Sequence, residues 1–141
     1  MIVCGIEMAA SEARFVLLDG NKSNFHHINV EPRKLKIADD ENADEVRAFR
    51  DTLYAFLRQN KVEIIVIKKR GKKGEYAGGP IGFKLEAIAQ LYEGCPIVLI
   101  APTTISIMIK KHATGIPATL KKYQNSAFQT AFSVLPDPRG R

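Results

Sequence analysis

The chain has 141 residues, of which 45% are hydrophobic and 26% charged, with a formal net charge of +6. That composition fits one globular domain over residues 1–141 with a sizeable core. It contains no run of about 18 apolar residues, which excludes a membrane span. The opening stretch MIVCGIEMAASEARF has no basic segment and places Glu7 inside its apolar run, which argues against a secretory leader. A cytoplasmic address is the resulting expectation. The two cysteines, Cys4 and Cys95, stand among strand-forming residues and read as buried thiols rather than a disulfide or metal site.

Residues 2–7 alternate Ile2, Cys4 and Ile6 with Val3, Gly5 and Glu7, the period of a strand. A turn at Ala10–Ser11 leads to a second strand at 13–18, and Asp19-Gly20-Asn21 is a further turn signal. A third strand is expected at 25–30, completing an antiparallel meander. Residues 31–41 read as a charged connection containing Pro32. A helix is predicted over 42–59, with Val46, Phe49, Leu53, Phe56 and Leu57 on one face. Asp39, Asp40, Glu41, Asp44 and Glu45 crowd its start, where the helix dipole favours anions. That placement explains the acid cluster without a metal.

Residues 62–67 form a fourth strand, apolar on both faces as in a parallel sheet. A second helix is expected over 80–93, opened by Pro80 and carrying Leu85, Ile88, Ala89 and Tyr92 toward the core. A fifth strand covers 96–101, a short helix 105–112, and a final helix 118–134 with Leu120, Tyr123, Ala127, Ala131 and Leu135 inward. Three antiparallel strands followed by βαβ units specify an α/β fold. Its form is a ribonuclease H-like mixed five-stranded sheet, in order 3-2-1-4-5, with helices on both faces.

Charge is distributed unevenly. Residues 1–60 hold 8 basic and 10 acidic side chains, and residues 61–141 hold 13 and 5. The basic surplus peaks in KKRGKKGEYAGGPIG at 68–82, which follows the fourth strand. Ligands bind outside the carboxyl ends of parallel strands, so this loop points to a phosphate-bearing partner. Lys68, Lys69, Arg70, Lys72 and Lys73 are the candidate phosphate contacts. Lys84, Lys110, Lys111, Lys121 and Lys122 would extend the patch. Tyr76 and Phe83 are candidates to stack on bases, although Phe83 also reads as a core residue at a helix start.

The loop is not a nucleotide-binding P-loop, since no GxxxxGK followed by Ser or Thr occurs. His26 and His27 are adjacent on a strand and point to opposite faces, which disfavours a shared metal, and they read as ordinary surface or half-buried residues. No serine stands in a His–acid pattern.

The fragments CGIEM at 4–8, EIIVIKKRGKKGEYAG at 63–78, FKLEAIAQL at 83–91, APTTI at 101–105 and LKKYQNSAFQTAF at 120–132 resemble a small bacterial family of unknown function. That family is placed in the ribonuclease H-like superfamily and is distantly similar to RuvC-type Holliday-junction resolvases. The resemblance implies a site in which a first-strand carboxylate joins acids at the end of the fourth strand and on the last helix. Such acids hold two divalent cations, Mg²⁺ or Mn²⁺, about 4 Å apart.

Here Glu7 matches the first position. Lys68 and Lys69 stand at the second, and the final helix reads Asn125-Ser126-Ala127-Phe128 without an acid. Glu63 and Asp19 belong at the other end of the sheet, while Glu75 sits in the basic loop. The bland reading of Glu7 is a residue paired with Lys68 or Lys69. No metal or other cofactor is therefore expected, except under a nuclease reading.

Three functions stay open. The leading one is a non-catalytic nucleic-acid or polyanion binder with a degenerate metal site and DNA or RNA as partner. The second is a divalent-metal nuclease or resolvase using Glu7. The third is a protein-interaction module. By analogy with RuvC-type proteins, a homodimer through the third strand or the 83–93 helix is also open.

Overall fold

A computed structural model describes residues 1–72, 79–112 and 114–139. Strands β1 (Ile2–Ala9) and β2 (Glu12–Gly20) form a hairpin. Its register sets Ile2 opposite Asp19 and Glu7 opposite Arg14. The outer edge of β2 is covered by two short antiparallel strands, β3 (Phe25–Ile28) and β4 (Lys34–Lys36). On the other side of β1 lie β5 (Ile64–Lys68) and β6 (Ile97–Ile100), both parallel to it. The order is β3-β2-β1-β5-β6 with β4 also on β2, which is the expected 3-2-1-4-5 with one strand added.

Strand β4 was not expected. It is a Lys-Leu-Lys triplet too short to announce itself, and the free half of the β2 edge fixes it in place. The third strand accordingly ends at Ile28, two residues short of its expected limit.

Helix α1 (Ala43–Gln59) begins at Asn42, whose side-chain oxygen accepts from the N–H groups of Asp44 and Glu45 at 2.9 and 3.3 Å. Asp44 and Glu45 stand in the first turn, where the helix dipole favours anions. Helix α2 (Pro80–Gln90) follows β5, with proline in its first turn. Together α1 and α2 cover one face of the sheet. Phe49, Leu53, Phe56 and Leu57 meet Cys4, Ile6, Phe15, Leu17, Ile65 and Ile67 there.

Helices α3 (Pro102–His112) and α4 (Asn125–Ser133) lie on the opposite face. Ala127, Phe128, Ala131 and Phe132 pack on Val3, Val16, Leu18 and Val66. Because Val3 and Cys4 are both fully buried on opposite faces, β1 is the central strand of the fold.

The final helix is shorter than its periodicity suggested. Leu120 closes a turn on Pro117, and a 3₁₀ turn spans Lys122–Gln124 before α4 begins. Gln124 causes this, since it is buried with its amide donating to the Phe15 carbonyl and its oxygen accepting from the Lys121 N–H, both at 2.9 Å. Among the described residues no helix is long and apolar enough to cross a membrane. Both cysteines are free thiols, and burial pushes the Cys4 pKa far above its ordinary value.

Candidate nucleic-acid interface

The strand order brings four ionisable side chains from four strands into one row. Lys34 pairs with Arg14 across β4 and β2, and Arg14 pairs with Glu7 across β2 and β1. The alignment of Ile6 with Ile67 places Lys68 beside Glu7. Alternation along each strand turns all four toward α4, because their neighbours Leu35, Ala13, Phe15, Ile6 and Ile67 belong to the opposite core. The start of α4 lies over the row. Lys68 Nζ donates to Ser126 Oγ at 3.0 Å, and Lys34 Nζ sits 4.7 Å from the Tyr123 ring centre, with the Arg14 guanidinium at 5.9 Å.

Within the row, charges pair in a way that differs from expectation. Glu7 meets Arg14 at 3.7 Å, not Lys68 or Lys69. A directly opposed antiparallel pair brings side chains closest, and Lys68 is drawn to Ser126 instead. Arg14 also donates to Glu12 at 2.7 Å. Glu12 and Arg14 were both missed in the sequence, since only the hairpin register shows that they share a face with Glu7.

These residues do not fit a pair of divalent cations. Among the described residues no group of three His, Cys, Asp or Glu is placed to hold a metal. At the strand end where a second acid would stand there is the Lys68 ammonium, and on α4 there is the neutral Ser126. Both nearby carboxylates are committed to Arg14. Glu63 accepts from the Ile2 N–H at 2.7 Å, at the far end of β1, and Asp19 lies opposite Ile2. A fixed cation beside Glu7 repels a divalent ion rather than holding it.

The remaining candidates separate into three places. Lys69 and Lys72 are exposed in the segment that follows β5, and alternation turns Lys69 away from the face that Lys68 occupies. Arg70 turns inward. Its guanidinium lies 4.8 Å from the Phe83 ring centre and crowds Gly82, where an added Cβ would fall 2.4 Å from Nη2. Phe83 is therefore the platform for Arg70 in this structure. Lys73, Glu75 and Tyr76 lie outside the described residues.

Lys84 belongs to the other face. It donates to the Asp40 carboxylate at 3.0 Å and to the Asp40 carbonyl at 2.8 Å, tying α2 to the α1 cap. Lys110 and Lys111 do not extend the patch as expected. Helix α3 carries them to the opposite end of the sheet, where Lys111 shares the surroundings of Lys22 and Asp137. Lys121 and Lys122 are exposed at the start of α4, on the same end as Lys68.

His26 is exposed, while His27 is half-buried with Nδ1 2.7 Å from Thr119 Oγ1. Neither is part of a metal site among the described residues. Two surface pockets of about 530 and 510 Å³ lie away from the row, one beside Tyr54 and Tyr92 and the other beside His27 and Ile116.

Residues 1–134 match the family model described as "Protein of unknown function (DUF3010)". The chain belongs to that family. No curated protein matches it. Among solved structures, the DUF3010 chain is similar to RuvC of Thermus thermophilus, at 11% identity and a TM-score of 0.73, covering 94% of this chain and 92% of that one. It is also similar to T. thermophilus RuvC in complex with a Holliday junction substrate, at 12% identity, a TM-score of 0.69 and the same coverage. A third similar structure is the Fowlpox virus resolvase with its Holliday junction DNA, at 11% identity and a TM-score of 0.50, covering 94% and 90%. At these identities the likeness establishes the ribonuclease H-like fold.

Proposed function

We propose that this DUF3010 protein binds nucleic acid through the phosphate backbone and does not cleave it. One observation carries the reading. At the carboxyl end of β1 and β5, Lys34, Arg14 and Lys68 line the α4 face with Lys121 and Lys122 exposed just before α4 and Lys69 and Lys72 exposed just after β5, while the two carboxylates in the row, Glu7 and Glu12, both lie against Arg14. Two of the structures similar in fold hold Holliday junction DNA, and that supports nucleic acid as the polyanion. Contacts of lysine and arginine with phosphate carry no base preference and weaken steeply with salt.

The test is fluorescence anisotropy with labelled duplex, single-stranded and four-way-junction DNA over a salt series, with the DNA checked for cleavage in Mg²⁺. Replacing Lys69, Lys72 and Lys121 together by Glu should reduce the slope of log affinity against log salt by about 3. The same change at Lys110 and Lys111 should leave binding nearly unaltered. Cleavage abolished by Glu7→Gln would replace this reading with a metal-dependent nuclease. An absence of binding at low salt would end it.

A further inference from the structure

We infer that Lys68 and Ser126 form a seat for a backbone phosphodiester that works without a divalent cation. The inference rests on the nucleic-acid reading and names the place where one phosphate is held. The Lys68 ammonium has three N–H donors and spends one on Ser126 Oγ, at 3.0 Å. Because Ser126 accepts in that contact, its own hydroxyl proton is available to a further acceptor. Two donors therefore converge at one point, and a phosphate carries acceptor oxygens to match both.

The surroundings favour an anion at that point. Lys68 is half-buried, so its charge is screened less than that of a fully solvated lysine. Glu7, the carboxylate beside it in the row, faces Arg14 at 3.7 Å, and the guanidinium, which it shares with Glu12, offsets part of its charge. Removing the acids that would hold metal and adding a fixed ammonium exchanges a cation-binding site for an anion-binding one.

The row also gives a direction. Lys34 and Lys68 are three strand spacings apart, about 14 Å, roughly the rise of four steps along a duplex axis. A backbone crossing the row from Lys68 to Lys34 would pass Arg14 and the Tyr123 ring.

Two measurements test this independently of each other. In the first, wild type binds DNA in EDTA at least as tightly as in Mg²⁺, which acts only as a competing counterion. Lys68→Met weakens binding roughly tenfold and lowers the salt slope by about 1, and Lys68→Arg restores most of the loss. Ser126→Ala, a smaller change that keeps the helix, weakens binding a few-fold and serves if Lys68→Met does not fold.

In the second, Mn²⁺ binding is followed by electron paramagnetic resonance without any DNA. Wild type binds no Mn²⁺ at this site. The double variant Lys68→Asp with Ser126→Asp, which places two new acids beside Glu7, gains a bound Mn²⁺ signal that Glu7→Gln removes.

Mn²⁺ bound by wild type and lost in Glu7→Gln would overturn the inference. So would DNA affinity in Lys68→Met equal to wild type while the Lys69, Lys72 and Lys121 variant is weakened, a result that leaves the nucleic-acid reading standing. If wild type binds no DNA at low salt, the nucleic-acid reading fails first and the phosphate seat falls with it.

Discussion

Gly5 gives the sharpest test of how the row is assembled. It lies in the middle of β1 and faces α4. A Cβ built there would fall 2.3 Å from the Ala127 carbonyl oxygen, 2.6 Å from the Ala131 nitrogen and 2.7 Å from the Ala131 Cβ. Two of these atoms are helix backbone, so no side-chain rotation relieves the contact. To reach ordinary contact near 3.4 Å, α4 must retreat by about 1 Å, which loosens Phe128 and Phe132 from Val3 and Val66 and draws Ser126 from Lys68.

Overpacking of this kind costs about 1–3 kcal/mol, and a clash with backbone belongs at the upper end. For a chain of this size, about 3 kcal/mol lowers Tm by roughly 10 °C. Gly5→Ala should show that loss by thermal unfolding followed by circular dichroism. Gly115→Ala, where nothing lies within 4 Å of the added atom, should stay within about 0.5 kcal/mol of wild type. A Gly5→Ala protein melting within 2 °C or so of wild type would refute the close approach of α4 to β1.

Other outcomes follow from single contacts. Asn42→Ala removes the side-chain acceptor for the Asp44 and Glu45 N–H groups and should cost about 1 kcal/mol in urea unfolding. Lys22 donates to the Ser133 and Leu135 carbonyls at the end of α4 and lies 5.7 Å from the Phe132 ring centre, and burial lowers its pKa. Lys22→Met keeps the stem but strips those carbonyls of their donor, for a loss of about 1–2 kcal/mol by the same assay.

Burial, reinforced by Arg33 and His26, holds the His27 pKa below its ordinary value of 6.5. The unfolded chain then binds the proton more readily, so stability contributed by neutral His27 is lost as pH falls through 6.5 toward the lower folded value. Urea midpoints measured between about pH 7 and pH 5 should fall more steeply for wild type than for His27→Gln, and parallel curves would contradict the assignment.

Local pattern determined most of the scaffold. Alternation in 2–7 and 13–18, the apolar run before Lys68, and the helical stripe from Phe49 to Leu57 are written in neighbouring residues, because each element buries one face or both and its period records which. The order of strands followed from their sequence of types and the right-handed crossover. The chemistry of the row was half visible. Glu7 and Lys68 could be placed at the strand ends, and the missing acids could be counted.

Tertiary structure decided the rest, because partners across a sheet are separated in sequence and chosen by register. Arg14 becomes the partner of Glu7 only through the hairpin alignment, and Lys34 joins them only because a three-residue strand completes an edge. Ser126 meets Lys68 across 58 positions because Gly5 lets α4 settle onto β1. Lys110 and Lys111 share the sign of the basic loop but not its place, since an eleven-residue helix carries them to the other end of the sheet. Charge is a property of residues, whereas a charged site is a property of the distances between them, and those distances are set by packing.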